Sequence, residues 1–248
     1  MLYSLEKPEH WNTLSLNEKV KYYGTRLTKD YSDYVDKLKA KDIVKSILGS
    51  AINIPRTVRV LDHNLDIYES DLNPYTIIKG AHGCKFNINI VRGLRLPRVK
   101  YLLQKYSTTF NPHQHEIQYT YLQPRFFIEE KVDDYYTGRS GEAVVYMFRC
   151  IYGNPVMISI GYKEWCNYYY IDWSVIKEEI PFQIDIIPEM ETMKLLASKL
   201  SNPFEFVRID FYLDRQKQIY FSEYTFTPNA GYPCVSREIE YELGKSWI

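Results

Sequence analysis

Two apolar-rich runs near the C-terminus, Phe204 to Leu213 and Gln218 to Phe226, are separated only by the polar stretch Asp214-Arg215-Gln216-Lys217. A connection this short joins strands as an antiparallel hairpin, because a parallel pair needs a long crossover. Side chains alternate along a strand. The hairpin is therefore predicted to place Val207, Ile209 and Phe211 on one face, and Arg208 and Asp210 on the other. On the return strand, Phe221, Glu223 and Thr225 are predicted to share a face. With the turn centred near Arg215-Gln216, Arg208 lies opposite Glu223 and Asp210 is its diagonal neighbour. A one-residue slip would break that pairing. Two carboxylates and an arginine on one patch fit a magnesium site that also meets substrate phosphates. They equally fit an ordinary cross-strand ion pair, worth ~0.2–1 kcal/mol. Spacing alone leaves both readings open.

The rest of the chain mixes helices with short strands. Ser15-Leu16-Asn17-Glu18 has the form of a capping box, so a helix is predicted from there toward Leu27. A second helix is predicted over Tyr34 to Leu48, stopped by Gly49. Strands are predicted at Arg56 to Leu61, Tyr75 to Lys79, Asn87 to Val91 and Arg125 to Glu130. Glu142 to Ile151 and Pro155 to Gly161 read as a strand pair around Tyr152-Gly153-Asn154. Helices are predicted at Arg98 to Tyr106 and at Pro188 to Leu200, the second with proline at its start. Helices interleaved with largely antiparallel strands make the expected class α+β.

With 248 residues the chain can form one large domain or two lobes. Lysine plus arginine equals aspartate plus glutamate at 31 each, which gives no support to a nucleic-acid partner bound by bulk charge. No run approaches ~18 apolar residues, so no membrane span is expected. The N-terminus shows no basic region followed by an apolar run, hence no expected signal peptide. Cys84, Cys150, Cys166 and Cys234 form no C-x-x-C pair. They read as free thiols of a cytoplasmic protein.

Three further features carry charge at strand ends. Lys79 closes an apolar strand just before Gly80-Ala81-His82-Gly83, where a lysine can reach nucleotide phosphates and loop amides can cradle them. No P-loop motif is present. Glu129-Glu130 closes another apolar strand, whose edge suits an adenine ring, with Glu142 downstream as a partner for ribose hydroxyls. Singly, each also reads as a solvated charge. His113 and His115 flank Gln114 in a loop and make a weak metal signal, better read as loop or substrate contacts. Trp11, Trp165, Trp173 and Trp247 read as packing residues, Trp173 alternatively as a sugar-stacking face.

Together these pieces resemble the ATP-grasp superfamily and, within it, the TupA-like branch associated with teichuronopeptide and cell-surface polysaccharide synthesis. The likeness runs over nearly the whole chain. Leu16 to Val20 is similar to the family's opening helix, and Asp36 to Val44 to its "DK…V" segment. Tyr75 to Gly83 resembles its "FVLK-x-x-HG" strand and loop, Pro124 to Glu130 its "P-r-i-i-i-E-E" strand, and Tyr170 to Trp173 its "Y-d-x-d-W" motif. The strongest match is Phe206 to Tyr212 with Ile219 to Gly231, where the family reads "FVRVDLY … IYFGELTFTPxxG".

The resemblance implies an ATP-grasp fold with two α+β lobes clasping ATP, behind a small N-terminal region of helices and strand. The implied division is 1–72, then a small lobe over 73–140 and a large lobe over 141–248. Lys79, His82 and Gly83 would meet phosphates, Glu129 and Glu130 would border adenine, and Glu142 would hold ribose. Asp210, Glu223 and Thr225 would carry Mg2+, and Arg208 would support acyl-phosphate chemistry. The implied activity is a carboxylate–amine ligase acting on a small molecule or glycan precursor, with oligomeric state left open. A nucleotide-binding protein without turnover and a sugar phosphotransferase are the alternatives. The family usually reads "DYK" where this chain has Glu142-Ala143-Val144, so its lysine is lost to Val144. Lys163 or Arg149 is the expected substitute, Lys163 falling where the family often carries arginine. Ser222 replaces the family's glycine before the metal glutamate.

Overall fold

Ser15 caps the first long helix as its sequence predicts. Its backbone N–H donates to Glu18 Oε2 at 2.9 Å, closing the capping box. This computed structural model describes residues 5–62, 65–108, 116–139 and 142–248. Its helices are α1 (Leu16–Gly24), α2 (Ser32–Val35), α3 (Lys37–Leu48), α4 (Leu96–Tyr106), α5 (Pro188–Ser201) and α6 (Arg237–Gly244). Its strands are β1 (Thr57–Val60), β2 (Thr76–Gly80), β3 (Asn87–Asn89), β4 (Phe126–Glu130) and β5 (Val145–Ile151). They continue with β6 (Asn154–Tyr162), β7 (Trp165–Tyr169), β8 (Val175–Lys177), β9 (Phe206–Leu213) and β10 (Ile219–Thr225).

The predicted helix over Tyr34 to Leu48 is two helices. Asp36 breaks it by taking an extended backbone and accepting the N–H groups of Leu38 and Lys39 at 3.0 and 3.3 Å. An aspartate at an N-cap satisfies orphan donors that a helix interior would not offer it. Sequence reading also missed β7 and β8, which extend the larger sheet to its edge.

The strands form two antiparallel sheets, ordered β1-β4-β2-β3 and β10-β9-β5-β6-β7-β8. Alternation gives each sheet one apolar back and one polar front. In the small sheet, Ile78, Phe126 and Ile128 pack with Val99 and Leu103 of α4. Ile77, Lys79 and Glu129 point the other way. In the large sheet, Tyr146, Phe148, Val207, Ile209 and Phe211 join the main core with Met190, Met193 and Leu200 of α5. Val145, Met147, Asp210 and Tyr212 face the opposite side. The β5–β6 hairpin turns at Tyr152-Gly153, with φ of 50° and 77°. Two consecutive positive φ values are the signature of the tight hairpin turn that glycine favours.

The N-terminal segment is built into both sheets. β1 is an edge strand of the small sheet, paired with β4. Asn53 bridges to Tyr220 at the edge of the large one. Trp11 and Trp247 are buried edge to face at 5.1 Å, so both serve packing.

Candidate active site

The polar fronts of the two sheets face each other across a cleft. At one end lies a hollow of about 390 Å³ lined by Ile77, Lys79, Glu130, Val132, Glu142 and Tyr212. It opens into a second of about 350 Å³ holding Lys37, Lys163, Arg208, Asp210, Ser222 and Glu223. Both sheets therefore contribute to one continuous surface, with Lys79, Glu142 and Tyr212 common to its two ends.

The hairpin register differs from the sequence expectation. Phe211 pairs with Phe221, but Asp210 pairs with Glu223 and Arg208 with Thr225, because a bulge intervenes after Phe221. Arg208 is thus opposite Thr225 rather than Glu223, and Phe221 does not share Glu223's face. The bulge lets Phe221 stay in the core at 1% exposure while Ser222 and Glu223 turn into the cleft.

Arg208 clamps Asp210 through two bonds, Nε to Oδ1 at 2.7 Å and Nη2 to Oδ2 at 2.6 Å. It also donates to Thr225 Oγ1 at 3.3 Å and lies 3.7 Å from Glu223 Oε1. Burial pushes the Asp210 carboxyl up, against Arg208, and the nearby Glu223 charge adds to the rise. Burial would push Glu223 up too, but Lys37 and Arg208 outweigh it and hold that carboxylate ionised. Two hard carboxylates and a hydroxyl converge here, with Arg208 using only one lone pair on each Asp210 oxygen. That donor set fits a magnesium ion, whose charge would relieve the repulsion between the acids.

A second cluster joins Lys79 of the small sheet and Lys41 of α3 through Glu129. Glu129 Oε1 accepts from Lys79 at 2.5 Å and Oε2 from Lys41 at 2.6 Å. Burial raises Glu129, yet the two lysines reverse the shift and keep it charged. Burial depresses Lys79, and Glu129 more than restores it. Lys41 remains depressed because burial exceeds its gain from Glu129. Glu129's carboxylate therefore orients two lysines, while Glu130, Lys131 and Val132 line the hollow beside it. Glu130 is half exposed and paired with Arg56.

His82 and Gly83 are not among the cleft-lining residues. His82 is buried between Phe86 and Phe126, its ring nitrogens at Tyr106 O (3.0 Å) and the Arg125 backbone (3.2 Å). Gly83 enters indirectly, its carbonyl accepting from Lys37 Nζ at 2.7 Å. Val144 is fully buried in the main core, whereas its neighbours Ala143 and Val145 face the cleft. A cation is brought there instead by Lys163, at the β6–β7 turn, and by Lys37, 3.5 Å from Glu223. Trp173 is half-buried, its Nε1 bonded to Glu191. His113 and His115 lie outside the described residues.

Sequence reasoning missed Lys37, Lys41 and Tyr212. The two lysines are spaced by four on α3, hence on one helical face. That spacing was a signal, but only the packing of α3 on the cleft gives it meaning. Tyr212 follows Asp210 by two on β9 and lies under Lys79 Nζ at 5.5 Å from its ring centre.

Two antiparallel sheets thus face each other over Lys79 on one side and the Asp210–Glu223 pair on the other. The sequence matches the family model described as TupA-like ATPgrasp over residues 15–248, and the chain belongs to that family. No curated protein matches the sequence. Among solved structures, D-alanine–D-alanine ligase from Bacillus anthracis, complexed with ATP, aligns at a TM-score of 0.45 and 13% identity. That alignment covers 78% of this chain and 53% of the ligase. VanG D-Ala:D-Ser ligase from Enterococcus faecalis aligns at 0.49 and 11%, over 86% and 59%. This chain thus spans little more than half the length of either. Among the described residues no helix is long and apolar enough to cross a membrane.

Proposed function

We propose that this protein is an ATP- and magnesium-dependent ligase that activates a carboxylate and joins it to an amine, on a cell-surface polysaccharide or its precursor. The observation that carries the reading is the pairing of Glu223 with Asp210 beside Arg208, across the cleft from Lys79. Family membership supports the nucleotide and the ligase class. The glycan substrate rests on the branch's association alone.

In this reading the base of ATP sits against Glu130 to Val132, with Glu142 toward the ribose. Lys79, held by Glu129, meets the phosphates, and Lys41 fixes Glu129 from behind while bonding Pro55 O and Thr57 Oγ1. Asp210, Glu223 and Thr225 would hold a magnesium ion, which would supply neutralising charge at the transferring phosphoryl group. The substrate carboxylate oxygen attacks the γ-phosphorus and ADP leaves. The amine nitrogen then attacks the acyl carbon, phosphate departs and the amine gives up a proton. Arg208, Lys37 and Lys163 stabilise the negative charge that builds in both steps.

Product analysis tests the reading. Incubation with Mg-ATP and panels of amino acids, sugar acids and amines should release ADP and free phosphate together. ADP with a phosphorylated sugar would mark a phosphotransferase. Nucleotide binding without turnover under every combination would mark a non-catalytic protein.

A further inference from the structure

The large sheet carries a second arginine in register with Arg208, buried behind the lining of both hollows. Arg149 on β5 stands directly opposite Arg208 on β9 and beside Met157 on β6. It is 5% exposed. Among the described residues its hydrogen-bond acceptors are both sulfurs, Cys234 Sγ at 3.1 Å and Met157 Sδ at 3.7 Å. No carboxylate of the described residues pairs with it. Glu240 accepts from the Cys234 N–H at 3.2 Å.

This is a costly arrangement. Like charges directly opposite in a sheet repel. Sulfur is a weak acceptor, and a buried cation without a counter-charge is unfavourable. Arg208 bonds Asp210 and Thr225, whereas Arg149 feels the Asp210 charge without bonding it. A guanidinium left in this state suits an anionic ligand that completes it with charge-assisted bonds.

Its position says which ligand. Along one face of β5 run Val145, Met147 and Arg149, in register with Tyr212, Asp210 and Arg208 of β9; Val145 and Met147 line the cleft and Arg149 is buried just past them. Alternate residues on a strand are spaced by about 6.6 Å. Val145 and Tyr212 line the hollow beside Glu130 and Val132. Asp210 marks the metal pair one step along. Arg149 lies a further step on, beyond where phosphoryl transfer would occur and away from the nucleotide base.

We propose that Arg149 binds a carboxylate or phosphate group of the acceptor substrate and selects acceptors that carry one. The inference rests on the ligase reading for the word acceptor, and on Arg149's surroundings for the anion.

The test is the melting temperature of the protein loaded with magnesium and a non-hydrolysable ATP analogue, in chloride, acetate or phosphate at matched ionic strength. Acetate or phosphate should raise it saturably over chloride, and the better of the two identifies the group. Arg149→Gln and Arg149→Met should weaken the half-saturation by about tenfold or more while binding the nucleotide as the parent does. Without added anion, Arg149→Met should melt at or above the parent, since it removes a buried cation that no carboxylate bonds. A purely structural arginine predicts the reverse: Arg149→Met melts well below the parent, and the anion response survives. That result, or a parent indifferent to both anions, overturns the proposal. A parent that fails to bind nucleotide defeats the ligase reading separately, and the same series without nucleotide still decides whether Arg149 holds an anion.

Discussion

Glu223 faces Asp210 across the last hairpin because Ser222 is accommodated as a bulge. Buried apolar residues on β10 fall at Ile219, Phe221 and Tyr224, so their spacing lengthens from two to three at the bulge. That one extra residue lets the strand keep its core contacts and still present a carboxylate to the cleft. The metal reading depends on this relationship more than on either acid alone.

Glu223→Gln should reduce magnesium-dependent nucleotide affinity by about tenfold or more, roughly 1.4 kcal/mol, with circular dichroism unchanged. Asp210→Asn should do the same but also lower stability, because it leaves Arg208 buried without its bidentate partner. Titration calorimetry with and without magnesium separates the two effects from a denaturation curve. Parent-like binding by both variants would refute the hairpin as the metal site.

Glu129 lies between Lys79 and Lys41 at 2.5 and 2.6 Å. Glu129→Gln leaves two buried lysines facing each other without an anion, and should cost about 3–5 kcal/mol of stability. Urea denaturation measures it. Adding Lys41→Met should recover part of the loss, since one of the stranded charges then disappears.

Lys37 touches both the Gly83 carbonyl and Glu223. Lys37→Ala should slow ADP release by about tenfold or more while leaving the fold intact, as expected for a cation near a transferring phosphoryl group. Unchanged turnover in a ligase with an identified substrate would assign Lys37 to loop packing only.

His82 gives the fold a pH dependence. Burial depresses its imidazole below the ordinary value of 6.5, against its bonds to Tyr106 and Arg125. Between the folded pKa and 6.5 the unfolded chain binds more protons than the native one, so stability rises with pH through that window. The contribution is complete above 6.5 and is lost as pH falls through the folded value. Unfolding free energies measured from pH 5 to 7.5 should show this slope, and His82→Asn should flatten it.

Much of this was legible in the sequence. The capping box at Ser15, the strands closed by Lys79 and by Glu129-Glu130, and the polar face of Arg208 and Asp210 follow from local pattern. What was not legible depended on tertiary placement. Nothing in the stretch Trp165 to Lys177 alternates cleanly, and β7 and β8 form by pairing onto β6 at the sheet edge. Lys37 and Lys41 read as ordinary helix-surface charges until α3 is seen beside the cleft. His82 resembled a phosphate-loop histidine, yet its ring is sandwiched by aromatic neighbours and tied to backbone. The lengthened apolar spacing across Phe221 and Tyr224 was the one visible sign of the bulge.

Calorimetric titration with a non-hydrolysable ATP analogue, with and without magnesium, on the parent and on Lys79→Ala, tests the central claim most directly. The account predicts magnesium-dependent binding by the parent, weakened by about tenfold or more in the variant. A folded parent that binds no nucleotide, or a variant that binds as the parent does, would contradict it.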